Sequence, residues 1–272
     1  MRWNEMTARE IVEAREKCGG VCVVPMGCIE RHGDHLPVGI DYMKAWHFVD
    51  RAAEMEPFMV LPGWYLGSLS DCTFAPGTIA FPLEICVNAL EALCSEIARN
   101  GFKKILLINS HGGNDPMIQY FLQRFCEKDR DYMVYYPSHS FYISKGMVEA
   151  RKKLDAETNS TSGHAGGYET AVSLHLFPQC VNMSMQLPRE VGISDKRSEY
   201  MLNAGLKVPA WWFAAHPHHY GGYGNNCTAE HGKEIVDAAA RDIAEYVRVI
   251  KADTTTMEIY REFRERTRNP QL

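Results

Sequence analysis

Apolar residues recur along this chain with two spacings. Leu83–Asn100 carries Ile85, Leu90, Leu93 and Ile97 on one helical stripe, and Gly101 stands where a helix stops. Trp46, Val49 and Ala53 repeat that spacing and predict a helix over Tyr42–Met55. Thr7-Ala8-Arg9-Glu10 has the form of a capping box and predicts a helix running to about Lys17. Further helices are expected at Pro116–Lys128, 143–155, Tyr168–Phe177 and Lys233–Ile250, with Thr255–Arg264 extending or following the last. Between them lie short continuous apolar runs at 21–26, Phe58–Leu61, Ile105–Asn109 and Tyr132–Tyr136, the mark of strands buried on both faces. Strands alternating with helices predict an α/β fold, a mainly parallel sheet covered by helices on both sides. No repeat, linker or low-complexity segment divides the chain, so residues 1–272 read as a single domain. Pro62–Pro82 is an irregular stretch long enough to point to a functional loop. Pro178–Thr228 is weakly patterned and rich in Pro, His, Gly and aromatic residues.

The polar residues are concentrated where these strands end. Pro25–Asp41, PMGCIERHGDHLPVGID, follows the first apolar run and packs Glu30, Arg31, His32, Asp34, His35 and Asp41 together. Open α/β sheets bind ligands at the carboxyl ends of their strands. Glu30 and His32 are two apart and point the same way in extended chain. Asp41 follows a loop containing Gly33, Pro37 and Gly39 that can fold back over them. Ser110-His111-Gly112-Gly113-Asn114 ends the Ile105–Asn109 run, and Gly163–Gly167 opens the helix that carries Glu169. Glu30, His32, Asp41, His111 and Glu169, with His164 nearby, form an all-N/O donor set suited to Zn, Mn or Fe(II). Asp41 is placed centrally enough to bridge two ions.

Each residue also has a plainer reading. Glu30 alone reads as a surface acid, Asp41 as an N-cap, His35 as a turn-bonding group, and Glu169 as a favourable charge on a helix N-terminus. The turn at His111 could instead cradle a phosphate. Arg31 and Lys44 are the nearby cations for a phosphate-bearing substrate. The His216–His219 cluster could line a pocket or lie on a surface loop, and Trp211-Trp212 reads as packing or an oligomer contact.

Composition narrows the function classes. The apolar fraction of 46% and charged fraction of 23% are those of a globular protein, and a net charge of -5 argues against a nucleic-acid binder. No apolar run has the length of a membrane span, and MRWNEMTARE lacks the apolar stretch of a signal peptide. The nine cysteines are scattered without a C-x-x-C pair. A reduced, cytoplasmic protein with mostly buried thiols is expected, Cys72 among them.

Four of these segments together resemble the creatininase (creatinine amidohydrolase) family. PMGCIERHGDHLPVGID resembles its P-x-G-S-x-E-Q-H-G-P-H-L-P-x-x-x-D signature, and INSHGGN its N-G-H-G-G-N. GHAGGYETA resembles H-A-G-x-x-E-T-S, APGTIAF resembles F-P-G-T-I-S-L, and TAEHGKEI fits a pattern near the last long helix. The resemblance implies a three-layer α/β/α sandwich, assembly into homo-oligomers such as hexamers, and two divalent ions per chain. One ion would take Glu30, Asp41 and His111, the other His32, Asp41 and Glu169, and His164 would move a proton or hold substrate. It implies a dinuclear metal-dependent amidohydrolase that cleaves a non-peptide C–N bond, in a cyclic amide or a formamide. Creatinine hydrolases proper carry Tyr and Glu where this chain has Gly112 and Gly113. They have tryptophans near Asn159–Ser162 and near His139 or Ser140, and many relatives have His near Asp71 and Cys72. These departures remove groups that stack on creatinine. The rival expectations are a deformylase or peptide-trimming relative in cofactor biosynthesis, a non-catalytic metal-binding protein, and a phosphoesterase using the same ions.

Overall fold

The computed structural model describes residues 1–137, 144–192, 199–206 and 208–270. His139 and Ser140 lie outside the described residues. Four strands form one sheet: β1 (Val21–Met26), β2 (Met59–Val60), β3 (Lys104–Asn109) and β4 (Met133–Tyr135). Every pairing is parallel, and the order is β2-β1-β3-β4. β1 and β3 form the centre, in register from Val21 opposite Lys104 to Met26 opposite Asn109. Both strands therefore end at the same edge.

Side chains alternate across the sheet and sort the helices into two layers. Cys22, Val24, Met26, Ile105 and Leu107 pack with α1 (Ala8–Lys17), α3 (Leu83–Arg99), α4 (Asp115–Phe125) and α10 (Thr256–Arg268). Val21, Val23, Leu106 and Ile108 pack with α2 (Ile40–Ala52), α5 (Lys145–Thr158), α6 (Gly167–Leu176) and α9 (Ala229–Ala252). The result is the α/β/α sandwich with a parallel sheet. Two short helices, α7 (Glu199–Asn203) and α8 (Trp211–Ala215), interrupt the weakly patterned segment.

The boundaries follow local chemistry. The capping box at α1 forms as expected, with the Glu10 carboxylate accepting the Thr7 N–H at 2.7 Å. α9 begins at Ala229, four residues before the periodic pattern, because Thr228 and His231 close a capping box of their own. Gly232 looks like an interruption in sequence, yet it lies where α9 crosses α6. A Cβ there would stand 2.0 Å from the carbonyl oxygen of Ala171. The strand expected over Phe58–Leu61 shortens to two paired residues, but the pairing resumes beyond it. Trp64 N–H donates to the Pro25 carbonyl at 2.8 Å, and Gly27 N–H to the Trp64 carbonyl at 2.9 Å. All nine cysteines are free thiols, and Cys18, Cys22, Cys28, Cys72, Cys86 and Cys94 are buried. No helix among the described residues is long and apolar enough to cross a membrane.

Candidate metal centre

Three chain segments meet at the shared edge of β1 and β3. The first leaves β1 at Gly27, passes Cys28, Glu30 and His32, and returns to place Asp41 in the first turn of α2. Its return is held by the Glu30 N–H, which donates to the Val38 carbonyl at 2.8 Å. The second leaves β3 at Asn109. Ser110 N–H extends the ladder to the Met26 carbonyl at 2.8 Å, and the turn Gly112–Asn114 brings His111 inward. Asn109 fixes that turn, donating to the His111 carbonyl at 2.7 Å and accepting from the His111 N–H at 3.2 Å. Asn114 ties the two segments together by donating to the Gly27 carbonyl at 3.1 Å. The third is the entry to α6, where the Ala165 N–H donates to Glu169 Oε2 at 2.8 Å.

These segments bring the five expected side chains into one buried cluster. His111 Nδ1 lies 3.1 Å from Glu30 Oε2 and 3.0 Å from Asp41 Oδ2. His32 Nε2 lies 3.5 Å from both Asp41 Oδ1 and Glu169 Oε2. Asp41 thus faces both groups, one oxygen toward each. The Glu30 carbonyl accepts from His32 Nδ1 at 2.9 Å, which leaves Nε2 turned toward the carboxylates. Cys28 places its Sγ 3.1 Å from Asp41 Oδ2.

The electrostatics are those of a cation site. Burial alone would raise the Glu30 and Asp41 carboxyls, but neighbouring charge holds both well below the usual carboxylate range. For Glu30 that charge comes first from His111, and for Asp41 from Lys44 and His32. Burial likewise opposes a charge on His111, yet Glu30 and Asp41 push its ring up to about 10. The His111 proton therefore sits between two carboxylates, where a metal ion would sit. Cys28, Glu30, Asp41 and His111 form one convergent donor group, and His32, Asp41 and Glu169 another. The donor set fits a divalent ion.

His164 stands beside the cluster, its ring stacked on His32 with centroids 4.1 Å apart. Its Nε2 lies 2.7 Å from the Arg31 carbonyl, which can only accept, so Nε2 carries the proton and Nδ1 is the acceptor. Desolvation and the charge on His32 bring the ring down to about 4, so it is neutral at pH 7. His35 lies outside both donor groups, and it bonds no local turn: its Nε2 lies 3.1 Å from the Thr170 hydroxyl of α6, tying the loop to that helix.

Several surroundings differ from expectation. Asp41 is not an N-cap: Gly39 holds that position, α2 begins two residues earlier than the periodic pattern, and the carboxylate turns to the histidines. Lys44 is not available to a phosphate at the rim. It is fully buried, and its Nζ donates to Asp41 and Glu169. Arg31 is engaged with Asp34 at 2.7 Å. His219 is fully buried and belongs to the site. The Trp212 indole N–H donates to its Nδ1 at 3.0 Å, so its Nε2 donates to Glu30 Oε1 at 2.8 Å. That leaves Glu30 Oε2 directed at His111. Only the clustering of His and Trp in an unpatterned segment hinted at this relay. His219→Ala is expected to weaken metal binding about 10- to 100-fold, as loss of an outer partner does, without abolishing it. Titration with Zn2+ would show this, and an unchanged affinity would remove His219 from the site's support.

The cluster forms the floor of a cavity of about 620 Å³. Gly112, Gly113, Arg151, Tyr168, Trp211 and Trp212 also line it. Cys72 is buried, as expected for a structural thiol, and it also lines this cavity.

A family profile described as creatinine amidohydrolase matches residues 4–247. The chain belongs to the creatininase family. The creatinine amidohydrolase of Pseudomonas putida is 25% identical over 191 residues, covering 66% of this chain and 73% of its own length. The 3-dehydro-scyllo-inosose hydrolase of Thermotoga maritima is 23% identical over 265 residues, covering 91% of this chain and 83% of its own. A mycofactocin precursor peptide peptidase of Mycolicibacterium smegmatis is 27% identical over 168 residues, covering 58% and 59%. The creatininase fold is evident in three dimensions. A crystal structure of creatininase superposes with a TM-score of 0.69 at 20% identity, covering 93% of this chain and 98% of the other. A mutant creatininase described as Zn-Zn type superposes with a TM-score of 0.71 at 19% identity, over 93% and 98%.

Proposed function

We propose that this cavity is the active site of a metal-dependent hydrolase that cleaves a C–N bond other than a peptide bond, in a cyclic amide or a formamide. The observation that carries the reading is buried Asp41, which faces a histidine-carboxylate pair on each side at the carboxyl edge of the sheet. Zn, Mn or Fe(II) would be held by Glu30, Asp41 and His111, with His32 and Glu169 completing a second donor group around Asp41. A divalent ion there supplies a Lewis acid for a carbonyl oxygen and a means of activating water at neutral pH. The chain's own residues do the rest. His219 orients Glu30 and Asn109 orients the His111 turn, so the donors are positioned before substrate arrives. Neutral His164, with Nδ1 as its acceptor, takes a proton from the attacking water and returns it to the leaving nitrogen.

The cavity wall argues for a substrate other than creatinine. A Cβ at Gly112 would meet nothing within 4 Å, so the wall recedes where creatinine hydrolases carry a large side chain. Trp211 and Trp212 offer aromatic surface from a different segment, and Arg151 brings a guanidinium to the wall. That combination suits a ring bearing oxygen substituents. The coverage of the inosose hydrolase, 91% of this chain, favours a second reading in which the substrate is a polyhydroxylated cyclic ketone and the bond that water breaks is a ring C–C bond beside a carbonyl, in place of a C–N bond.

The test is elemental analysis of protein purified without chelator, with assays on creatinine, hydantoins, formamides and an inosose. Bound Zn, Mn or Fe is expected, with hydrolysis of one amide that chelation abolishes and metal restores. Protein that carries no metal and takes none up on titration would overturn the metal-dependent reading.

A further inference from the structure

Lys44 is a buried cation in the middle of a site built for metal cations. Its Nζ lies 2.7 Å from Asp41 Oδ1 and 2.5 Å from Glu169 Oε1. These are the two carboxylates of the second donor group, and His32 Nε2 is 3.5 Å from that same Asp41 oxygen. The placement is inherent in α2. Lys44 follows Asp41 by three residues, so helix geometry puts both on one face, and both lie on the buried side. The ammonium also sits over the Tyr168 ring, 5.3 Å from its centroid.

We propose that Lys44 takes the place of a second divalent ion, so that the site holds one metal ion, at Glu30, Asp41 and His111. This rests on the reading that the site binds divalent metal at all. Three observations support it beyond proximity. The oxygens of Asp41 are divided, Oδ2 toward His111 and Cys28 and Oδ1 toward Lys44 and His32. Glu169 is divided in the same way, Oε1 accepting from Lys44 and Oε2 from the Ala165 N–H. The oxygens that a second ion would need are already accepting hydrogen bonds. Charge balance points the same way. Glu30, Asp41 and Glu169 bring three negative charges, and one ammonium with one divalent ion already matches them before the charge that Glu169 and Asp41 favour on His32 is counted. A second divalent ion would leave excess positive charge in a buried pocket, where uncompensated charge is costly. The inferred division of labour gives the ion to the first donor group. The ammonium holds Asp41 and Glu169 in place on the other side.

The experiment is metal stoichiometry on metal-free, full-length protein reloaded with Zn2+, measured by equilibrium dialysis and elemental analysis. The wild type is expected to bind about one equivalent tightly, and Lys44→Met about two, since methionine fills the volume without the charge. Lys44→Arg retains the charge and should stay at about one. Because Lys44→Met leaves two buried carboxylates without their cation, a second readout uses the wild type alone. Loaded with excess Mn2+, it should show the spin-resonance spectrum of an isolated ion. An exchange-coupled pair, or two tight Zn2+ equivalents in the wild type, would overturn the assignment while leaving the metal-dependent reading intact. A Lys44→Met protein that folds and still binds only one equivalent would also overturn it. Uptake of no metal by any variant would remove both readings together.

Discussion

Asp41→Asn is expected to lose its tightly bound metal and about a thousandfold or more of its hydrolytic rate. The size of the effect follows from how many groups converge on this one carboxylate. Oδ2 faces His111 at 3.0 Å, and Oδ1 faces Lys44 at 2.7 Å and His32 at 3.5 Å. An amide preserves the shape but removes the charge, and one of its two ends then presents hydrogens instead of a lone pair. Whichever way the amide turns, either His111's side or Lys44's side meets a donor. His219→Ala makes a useful contrast, because His219 acts on the site only through Glu30 and its loss leaves every donor atom present. The check is metal content together with turnover of whichever amide the wild type hydrolyses, on protein shown to be folded by circular dichroism. An Asp41→Asn enzyme that kept its metal and a tenth of its rate would show that Asp41 is structural.

How far the site could be read in advance depended on whether each signal was local in sequence. Glu30, His32 and Asp41 share one segment, and His111 and Glu169 each sit at a strand end or a helix start, so the parallel sheet alone brings them to one edge. His219 had no such address. It reaches Glu30 from a segment without periodic pattern, 189 residues away, and no local rule places such a loop. Lys44 was legible in principle. Its spacing from Asp41 places it on the same helix face, but a lysine is almost never fully buried, and that expectation put it at the rim. The fold was clearer than its boundaries. The strand alternation predicted the two layers correctly, because burial on both faces leaves an unmistakable apolar run in β1 and β3. The start of α9 shifted to Ala229 because the Thr228–His231 capping box, not apolar spacing, decides where that helix begins, whereas α2 starts at Ile40 behind Gly39 with no side-chain cap.

Gly27→Ala is expected to lower stability by about 3 kcal/mol and to reduce metal binding, although residue 27 carries no donor atom. Gly27 is the point at which β1 passes against the start of α2. A Cβ there would stand 2.2 Å from the Tyr42 backbone nitrogen and 2.3 Å from the Asp41 carbonyl carbon. Both are backbone atoms, so no side chain can swing aside to make room. The strand end cannot retreat either, since Gly27 N–H is bonded to the Trp64 carbonyl and its own carbonyl accepts from Asn114. The strain must therefore move α2 away from the sheet edge, and Asp41 and Lys44 move with it. Glycine is required here for space and not for an unusual backbone angle, since Gly27 is absent from the positive-φ residues. A shift of even 1 Å at Asp41 would separate its two oxygens from His111 and from His32, so stability and metal affinity should fall together. Thermal unfolding with and without added Zn2+ measures both. If Gly27→Ala melted at the wild-type temperature and gained the same stabilisation from metal, the close approach of β1 and α2 would not be what positions Asp41.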